Sequence, residues 1–291
     1  MFQRINEIID NLCLDKDFLS SGNCVDYSPI DGNQIAAVPL SDSEKVQITI
    51  ERACHAFEEW QNVPPSHRVT LLQNFIEEII THREDLTELV MIETGKVRSC
   101  TEWEFEQTLY MAKGITSIPK KLSGNVFQGE FQKFSVSQKW APVGPVAVIS
   151  SFSLPVRVWV LNALTALACG NTVIWRPSRS ATLIAYAINT LLQRAMAQCD
   201  FYIPKYVSQI LVCDHPEAIT LAQSSKIPVM CATGAPSVVR KLQSIVGQRL
   251  GRTLLSVGEN SAALVDQTAD ISHAVREIIF SAFVDAGQRP I

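Results

Sequence analysis

Cysteine and histidine are the side chains best suited to bind a metal or to act as nucleophiles, and their spacing is the first constraint on function. The eight cysteines lie far apart with no Cys-x-x-Cys pair, and none of the five histidines falls at the spacing of a metal-ligand set. The sequence therefore predicts no metal site. We expect the cysteines to be reduced and mostly buried, with Cys169 an unreactive thiol at the end of an apolar helix.

Three loops carry polar or small residues directly after short apolar runs. They span residues 150–155, 176–179 and 232–236. The apolar runs before them are typical of buried strands. Because ligands bind outside the carboxyl ends of the strands in an open parallel sheet, we expect these loops to line one site.

The region after residue 141 alternates short apolar runs with stretches of helical length. Strands alternating with helices of about 10 to 15 residues are typical of βαβ units. The pattern predicts a doubly wound, mostly parallel sheet with helices on both faces, which is a Rossmann-like α/β fold. The predicted strands are residues 145–150, 171–175, 207–213 and 227–231, and the predicted helices are residues 158–169, 181–197, 236–246 and a short one from Glu217.

The region before residue 123 is predicted to be rich in helices after an initial strand pair at 27–38. Its apolar residues recur at three- and four-residue steps from residue 43 onward, the period of amphipathic helices. Residues 123–139 instead alternate apolar and polar side chains, which predicts an exposed antiparallel ribbon. We divide the chain into a helical part, a ribbon, a sheet domain and the start of a further domain, at residues 1–122, 123–141, 142–269 and 270–291.

The composition is that of a globular protein without a strong charge bias. Of the 291 residues, 47% are hydrophobic and 19% are charged, and the net charge is -4. Such a chain has no general attraction for nucleic acid or for an anionic membrane. No apolar run approaches the roughly 20 residues that span a bilayer. We expect a cytoplasmic protein that binds neither nucleic acid nor membrane.

Five separated motifs together resemble the aldehyde dehydrogenase family, most closely the subfamily that oxidises 2-aminoadipic semialdehyde in lysine degradation. The resemblance covers residues 27–289 and implies NAD or NADP as cofactor, an aldehyde as substrate and the ribbon as an oligomerisation arm. Because family members are much longer, it also implies a truncated catalytic domain. The motifs are ETGK from Glu93, PVGPVAVISSFSLP from Pro142, WVLNALTALACGNTVIWRPS from Trp159, RLGRTLLSVGENSAALV from Arg249 and DAGQR from Asp285.

The catalytic centre implied by the resemblance is altered at each of its positions. The nucleophilic cysteine of the family corresponds to Pro290, the oxyanion-binding asparagine to Ser153, and the general-base glutamate to Ser256. A serine hydroxyl can still donate a hydrogen bond to an oxyanion, but it cannot abstract a proton at neutral pH. We do not transfer the base role to Glu259, three residues further on. The resemblance therefore implies a degenerate member that is inactive alone.

The cofactor-binding positions implied by the resemblance are better preserved. Arg176 replaces a ribose-binding lysine, and with Arg179 it would favour the 2′-phosphate of NADP unless Arg179 is a solvated loop charge. Ala235 replaces a pyrophosphate-binding hydroxyl and Val239 adds bulk near it, which predicts weak binding. The implied cofactor positions are Ser151, Trp175, Arg176, Pro177, Ser178, Arg179, Gly234, Ala235, Val238 and Gly258.

Three local features complete the predictions. Glu93 is expected to be a surface carboxylate that caps a helix end, and the ring of Trp175 is expected to lie in the core. The helix at 271–283 is expected to expose an apolar patch, because the resemblance places its cover in the absent catalytic domain. Poor solubility follows unless the chain self-associates. The residues of this patch are Ile278, Ile279, Ala282 and Phe283.

Three functions are compatible with these observations. The first is a truncated, inactive homologue that binds a nucleotide weakly or not at all. The second is an active half of a split enzyme whose missing part comes from a separate chain. The third is a non-enzymatic partner that forms a homo-oligomer or hetero-oligomer through the 123–141 ribbon, where Phe131 would contact the partner.

Overall fold

A five-stranded parallel sheet organises the second half of the chain, in the strand order β7-β6-β5-β8-β9. The computed structural model describes residues 2–128, 134–258 and 262–288. The strands are β5 (Val146–Ile149), β6 (Val173–Arg176), β7 (Ser208–Ile210), β8 (Val229–Gly234) and β9 (Arg252–Val257). Successive strands are joined by single helices, so all the carboxyl ends lie at one edge of the sheet.

Helices cover both faces of this sheet and define two apolar clusters. The crossover helices are α6 (Pro155–Ala168), α7 (Thr182–Ala197), α8 (His215–Gln223) and α9 (Pro236–Gln248). On one face α6 and α7 pack against Val146 and Val148 of β5. On the other face α8 and α9 pack against Ala147 and Ile149 of the same strand. Strand β5 is therefore buried on both sides, which explains its unbroken apolar sequence.

The N-terminal helices pack onto the same two clusters instead of forming a separate core. They are α1 (Phe2–Asn11), α2 (Ser43–Trp60), α3 (Pro65–Thr81), α4 (Arg83–Thr94) and α5 (Arg98–Ile115). Helix α2 begins at Asp42, whose side chain accepts a hydrogen bond from the Lys45 backbone N–H. Helix α4 ends at Gly95, which has a left-handed φ of 73°. The hairpin of β1 (Cys24–Tyr27) and β2 (Gln34–Val38) precedes α2.

Two elements remain largely outside this packed body. The antiparallel ribbon of β3 (Asn125–Gln128) and β4 (Ser135–Gln138) exposes every residue of both strands. Helix α10 (Ile271–Phe283) has no buried residue. Its exposed apolar side chains include the predicted Ile278, Ile279 and Phe283.

The predicted fold class is confirmed, including the parallel sheet, the ribbon and the hairpin near the start. Helix α5 and strand β9 were not predicted as elements, and α6 begins three residues earlier than the pattern indicates, at Pro155. Within the part of the chain that the structure describes, no helix is long and apolar enough to cross a membrane. The same residues contain no group of His, Cys, Asp and Glu side chains able to hold a metal ion.

Candidate functional site

A cavity of about 370 Å³ lies at the carboxyl ends of β5, β8 and β9. It brings together two of the three predicted catalytic positions, Ser153 and Ser256, with the glycine-containing turn that follows β8. The third position, Pro290, lies outside the described residues, as does Glu259. The cavity is lined by residues 151–154, Val158, Thr233, Gly234, Ala235, residues 256–258, Gly287 and Gln288.

The two serines differ in their surroundings. Ser153 is half-buried, and its Oγ lies 3.1 Å from the Oγ of Ser151 in the loop between β5 and α6. Ser256 is exposed near the end of β9, where it pairs in register with Thr233 of β8. Both hydroxyls can donate a hydrogen bond into the cavity.

The chemistry available in this cavity is limited by what lines it. Among the described residues, its lining has no cysteine, histidine, lysine, arginine, aspartate or glutamate. The thiols of Cys213 and Cys231, which lie outside this cavity, are not poised to react either, because burial raises the pKa of each to about 11. Burial also raises the pKa of Cys169, as expected for a buried thiol. The described cavity therefore offers hydrogen bonds but neither a nucleophilic thiolate nor a base.

A second cavity, of about 330 Å³, lies beside Arg176 at the ends of β5 and β6, where α8 and α9 begin. Its lining contains two cations, Arg176 and Lys241, together with His215, and no carboxylate among the described residues. Arg176 Nη2 donates to the Cys213 carbonyl at 3.0 Å, whereas its buried Nε has no hydrogen-bond partner. An anion would supply the missing acceptor.

The other predicted cofactor positions on the β6 side are placed differently. Trp175 is in the core, as expected, where its Nε1 donates to Ser150 Oγ at 2.9 Å. Pro177 is buried and Ser178 is half-buried. Arg179 pairs with exposed Asp214 at 2.7 Å and does not line the basic cavity, so it behaves as a solvated loop charge.

The turn between β8 and α9 leaves its backbone open. A Cβ added at Gly234 or at Gly258 would meet no atom within 4 Å. Helix α9 begins after Ala235, whose side chain provides no cap. Its first residue, Pro236, has no N–H, and the Val238 N–H donates to the Ala235 carbonyl, so of these first residues Ser237 keeps an N–H for a ligand. Val238 lines the basic cavity, whereas Val239 is buried on the inner face of α9. The expectation that Val239 crowds the site is therefore wrong, because the helix turns that side chain into the core.

Glu93 corrects another expectation, since it is buried instead of lying on the surface. Its carboxylate accepts hydrogen bonds from the backbone N–H groups of Leu183 at 2.6 Å and Ile184 at 2.9 Å. It therefore caps the first turn of α7, a helix distant in sequence. Burial raises the pKa of Glu93 well above its usual value, and the neighbouring Asp26 raises it further. The apolar residues around ETGK gave no signal for this tertiary cap.

Lys96, the last residue of the same motif, anchors the segment that reaches the first cavity. Its Nζ lies 2.9 Å from Glu104 Oε2 and 3.4 Å from Asp285 Oδ2, in a fully buried position. Asp285 and Ala286 have left-handed φ values of 63° and 54°, which are costly for residues with a Cβ. Gln288 then donates to the Thr94 carbonyl at 2.6 Å. These contacts hold Gly287 and Gln288 against the cavity.

Sequence reasoning missed three residues that line the two cavities. Lys241 and His215 lie on helices that converge on Arg176 only in the folded chain, and neither belongs to a recognisable loop motif. Gln288 was part of the DAGQR string, but its own role was not predicted.

Known proteins similar to this chain belong to one family. Residues 19–291 match the model of the "Aldehyde dehydrogenase family". "Aldehyde dehydrogenase family 7 member A1" of Malus domestica is 29% identical over 262 residues, which cover 90% of this chain and 51% of that protein. "Alpha-aminoadipic semialdehyde dehydrogenase" of Bos taurus is 25% identical over 263 residues, covering 90% of this chain and 48% of that protein.

A solved structure supports the same fold. A 3,6-anhydro-L-galactose dehydrogenase in complex with NAP superposes with a TM-score of 0.82 at 20% identity, covering 93% of this chain and 56% of the other. This chain therefore spans about half the length of the curated relatives it matches.

Proposed function

This chain belongs to the aldehyde dehydrogenase family, and from that premise we propose that it binds a nicotinamide dinucleotide without oxidising an aldehyde. The observation that carries the proposal is the lining of the 370 Å³ cavity. It includes Ser153 and Ser256, and no titratable side chain among the described residues. Oxidation of an aldehyde through an acyl-enzyme requires a nucleophile to form the adduct and a base to activate the water that hydrolyses it. The described site provides neither.

The nucleophile is the largest loss. The resemblance aligns the family's cysteine with Pro290, whose side chain has no acidic hydrogen and no lone pair for attack. Removing an activated nucleophile costs several orders of magnitude in rate. The remaining groups near the cavity, Ser151 and Ser153, retain an ability to hydrogen-bond a carbonyl oxygen, which supports binding of an aldehyde or carboxylate without turnover.

The dinucleotide fits the residues that remain. When bound, such a cofactor would supply hydride acceptance. The uncapped first turn of α9 and the open backbone at Gly234 and Gly258 give a pyrophosphate close access to N–H groups. The unpartnered Nε of Arg176 supports an additional anionic group in the basic cavity. Lys241 adds a second cation there, so we propose that NADP binds more tightly than NAD.

Calorimetric titration of the full chain with each dinucleotide tests the nucleotide proposal. We expect NADP to bind more tightly than NAD by roughly fivefold or more, and Arg176→Gln to remove most of that preference. Arg179→Gln is the matched control, because Arg179 pairs with Asp214 outside the cavity. Equal affinity for the two cofactors would contradict the assignment of the basic cavity to the 2′-phosphate.

Turnover is tested separately, with the semialdehyde named for the bovine relative as substrate. The chain is incubated with 2-aminoadipic semialdehyde and either dinucleotide, and the absorbance of the reduced nicotinamide is followed. We expect no rate above the blank. An acyl adduct on any of the eight cysteines, detected by intact-mass measurement, would overturn the proposal.

The exposed face of α10 favours a second candidate, in which another chain completes the enzyme. Helix α10 buries no residue, and Gly287 and Gln288, which follow it, line the 370 Å³ cavity. A second chain of the same family that supplied a thiol and a base could pack on that face. Co-purification with such a chain, and aldehyde turnover by the complex, would support this candidate. A lone monomer or homodimer in native mass spectrometry would count against it.

The ribbon supports a proposal about assembly. Val126, Phe127 and Val136 are exposed on short strands that are marginal without a partner surface. We propose that a second copy of this chain, or a longer relative, packs there. Phe131 lies outside the described residues, so Val126→Lys is the better test. Loss of the oligomer in sedimentation velocity is the expected result.

The eight free cysteines further support a reducing compartment such as the cytoplasm.

A further inference from the structure

A third cavity, of about 640 Å³, lies away from the strand ends described above. It is formed where the start of α3 meets the base of the ribbon, beside residues that precede β5 and β6. Its walls include Val63, Leu122 and Trp140, together with four prolines. Because these residues precede the strands, the cavity lies towards the amino ends of the sheet, opposite to the nucleotide edge.

A buried arginine enters this cavity with one nitrogen left without a hydrogen-bond partner. Arg68 is only 6% exposed, and its buried Nε has no hydrogen-bond partner among the described residues. A Cβ at position 170 would collide with its Nη1, so the glycine there leaves room for the guanidinium. Gly170 also has a left-handed φ of 85°. Buried guanidinium groups normally satisfy their donors with carboxylates or carbonyls.

The charge around Arg68 is also uncompensated. Lys120 is the other cation in the described lining, and no aspartate or glutamate lines the cavity there. Cys169 is the one thiol in the lining, but burial raises its pKa, so the thiol is neutral and does not balance the arginine. Burial lowers the pKa of Arg68, yet an arginine remains charged in proteins. A buried unpaired charge is unfavourable, and a bound anion would remove that cost.

We propose that this cavity binds a small carboxylate with an apolar body, its oxygens on the Arg68 guanidinium and its body against Trp140 and Leu122. A planar guanidinium matches the two oxygens of a carboxylate, which makes this anion a better fit than a spherical one. The apolar walls favour a hydrocarbon substituent over a bare ion. Exposed Lys120 draws the anion to the entrance.

Cyclohexanecarboxylate is the probe, because it absorbs no light near the tryptophan band and has a compact apolar body. It is titrated into the full chain by calorimetry and by tryptophan fluorescence, with Trp140→Phe to identify the source of the signal. Its neutral amide and inorganic phosphate are the comparison ligands. We expect saturable binding of the carboxylate, with the amide and the phosphate each binding about tenfold or more weakly.

Two variants and two controls locate the site. Arg68→Met should weaken carboxylate binding about 30-fold or more, because a buried charged contact is removed. Lys120→Ala should weaken it roughly two- to fivefold, as expected for a charge at the entrance. Arg240→Ala, on α9, and Lys113→Ala, on α5, should leave the affinity unchanged, because both side chains are exposed and lie outside the cavity lining.

Several outcomes would overturn the proposal. Absence of saturable binding by the unaltered chain would do so, as would unchanged affinity in folded Arg68→Met. If the amide bound as tightly as the carboxylate, the negative charge of the ligand would not be recognised. If phosphate bound more tightly, the apolar body of the ligand would not be recognised. If Arg68→Met does not fold, Lys120→Ala and the amide comparison decide the question, because neither alters the buried arginine.

Discussion

The interior around the end of α4 contains buried charged side chains, whereas the lining of the 370 Å³ cavity at the strand ends has none among the described residues. Around α4, Glu93, Lys96, Glu104 and Asp285 are buried, and each has a hydrogen-bond or ion-pair partner. At the strand ends, the described lining of the 370 Å³ cavity has no charged side chain. The chain has therefore kept the charges that hold elements together and has serines at the implied positions of oxyanion binding and proton abstraction.

This difference indicates where the stability of the chain resides. A buried ion pair adds little by itself, but removing one member leaves the other uncompensated. Lys96 and Glu104 connect the start of α5 with the segment after α10, and Glu93 connects α4 with α7. A serine at the end of β9 connects nothing comparable. Substitutions in the two regions should therefore have very different effects on stability.

The largest effect is expected from Lys96→Met. This change leaves Glu104 and Asp285 buried together without a cation, which should lower the free energy of unfolding by about 3 to 5 kcal/mol. Urea denaturation measures the change. Because burial raises the pKa of Glu104 and Lys96 opposes that rise, the loss should be smaller at pH 5 than at pH 8, where Glu104 must ionise. Lys113→Met is the control. The Lys113 side chain is exposed on α5, so this change should alter the free energy of unfolding by less than about 0.5 kcal/mol.

Glu93→Gln should have the next largest effect. An amide can accept one of the two backbone N–H groups of α7 but turns its own NH₂ toward the other, which costs about 1 to 3 kcal/mol. Unfolding at several pH values measures this cost. No cost would contradict the cap, and an equal cost at every pH would contradict the raised pKa of Glu93.

The sign of the pH dependence follows from the raised pKa of Glu93. The folded chain holds this proton more tightly than the unfolded chain, in which glutamate titrates near pH 4.3. The contribution of Glu93 is therefore fully present below about pH 4.3 and is lost as the pH rises toward the folded pKa. The Gln variant lacks this loss, so the difference between the two proteins should narrow with rising pH.

Exposed α10 should affect association more than stability. Ile279→Glu together with Phe283→Glu should lower self-association and raise solubility, because both side chains are exposed and apolar. Light scattering coupled to gel filtration measures the change. Arg276→Glu, on the same helix, controls for added negative charge. Monomeric behaviour of the unaltered chain at high concentration would show that α10 is not an association surface.

Ser256→Glu should have the smallest effect and sharpens the comparison most directly. It restores the residue type that the resemblance implies at an exposed position, so stability should change by less than about 0.5 kcal/mol. It should also give no aldehyde turnover, because no thiol lines the described cavity. A destabilisation as large as that of Lys96→Met would show that the two regions do not differ as described.

The sequence predicted the features that depend on local periodicity. The runs around β5 and β6 and the ribbon alternation follow from neighbouring residues, whereas the order of strings indicated the family and, through it, helix α10. Asp270 caps the start of α10 by accepting a hydrogen bond from the His273 N–H, and an Asp at a helix start is likewise a local signal. Elements with weaker periodicity, such as α5, were not predicted.

Features that depend on distant residues could not be predicted in the same way. The surface position expected for Glu93 was wrong because its partners are backbone groups of a helix about 90 residues away. Lys241 lines the same cavity as Arg176 only because α8 and α9 pack together at that edge of the sheet. Arg68 lies within the apolar stripe of α3, and nothing in its neighbours indicates that its guanidinium is buried. The loops that form the site were predictable, whereas its electrostatics required the tertiary structure.

The buried lysine also constrains the order of events during synthesis. Lys96 and Glu104 are separated by eight residues, so they can pair soon after both leave the ribosome. Asp285 is translated about 180 residues later, a delay of roughly 10 to 40 s at ordinary elongation rates. Until then, the nascent chain holds a Lys96 ammonium with one of its two carboxylates. The buried charge cluster of Lys96, Glu104 and Asp285 is therefore complete only after Asp285 has emerged.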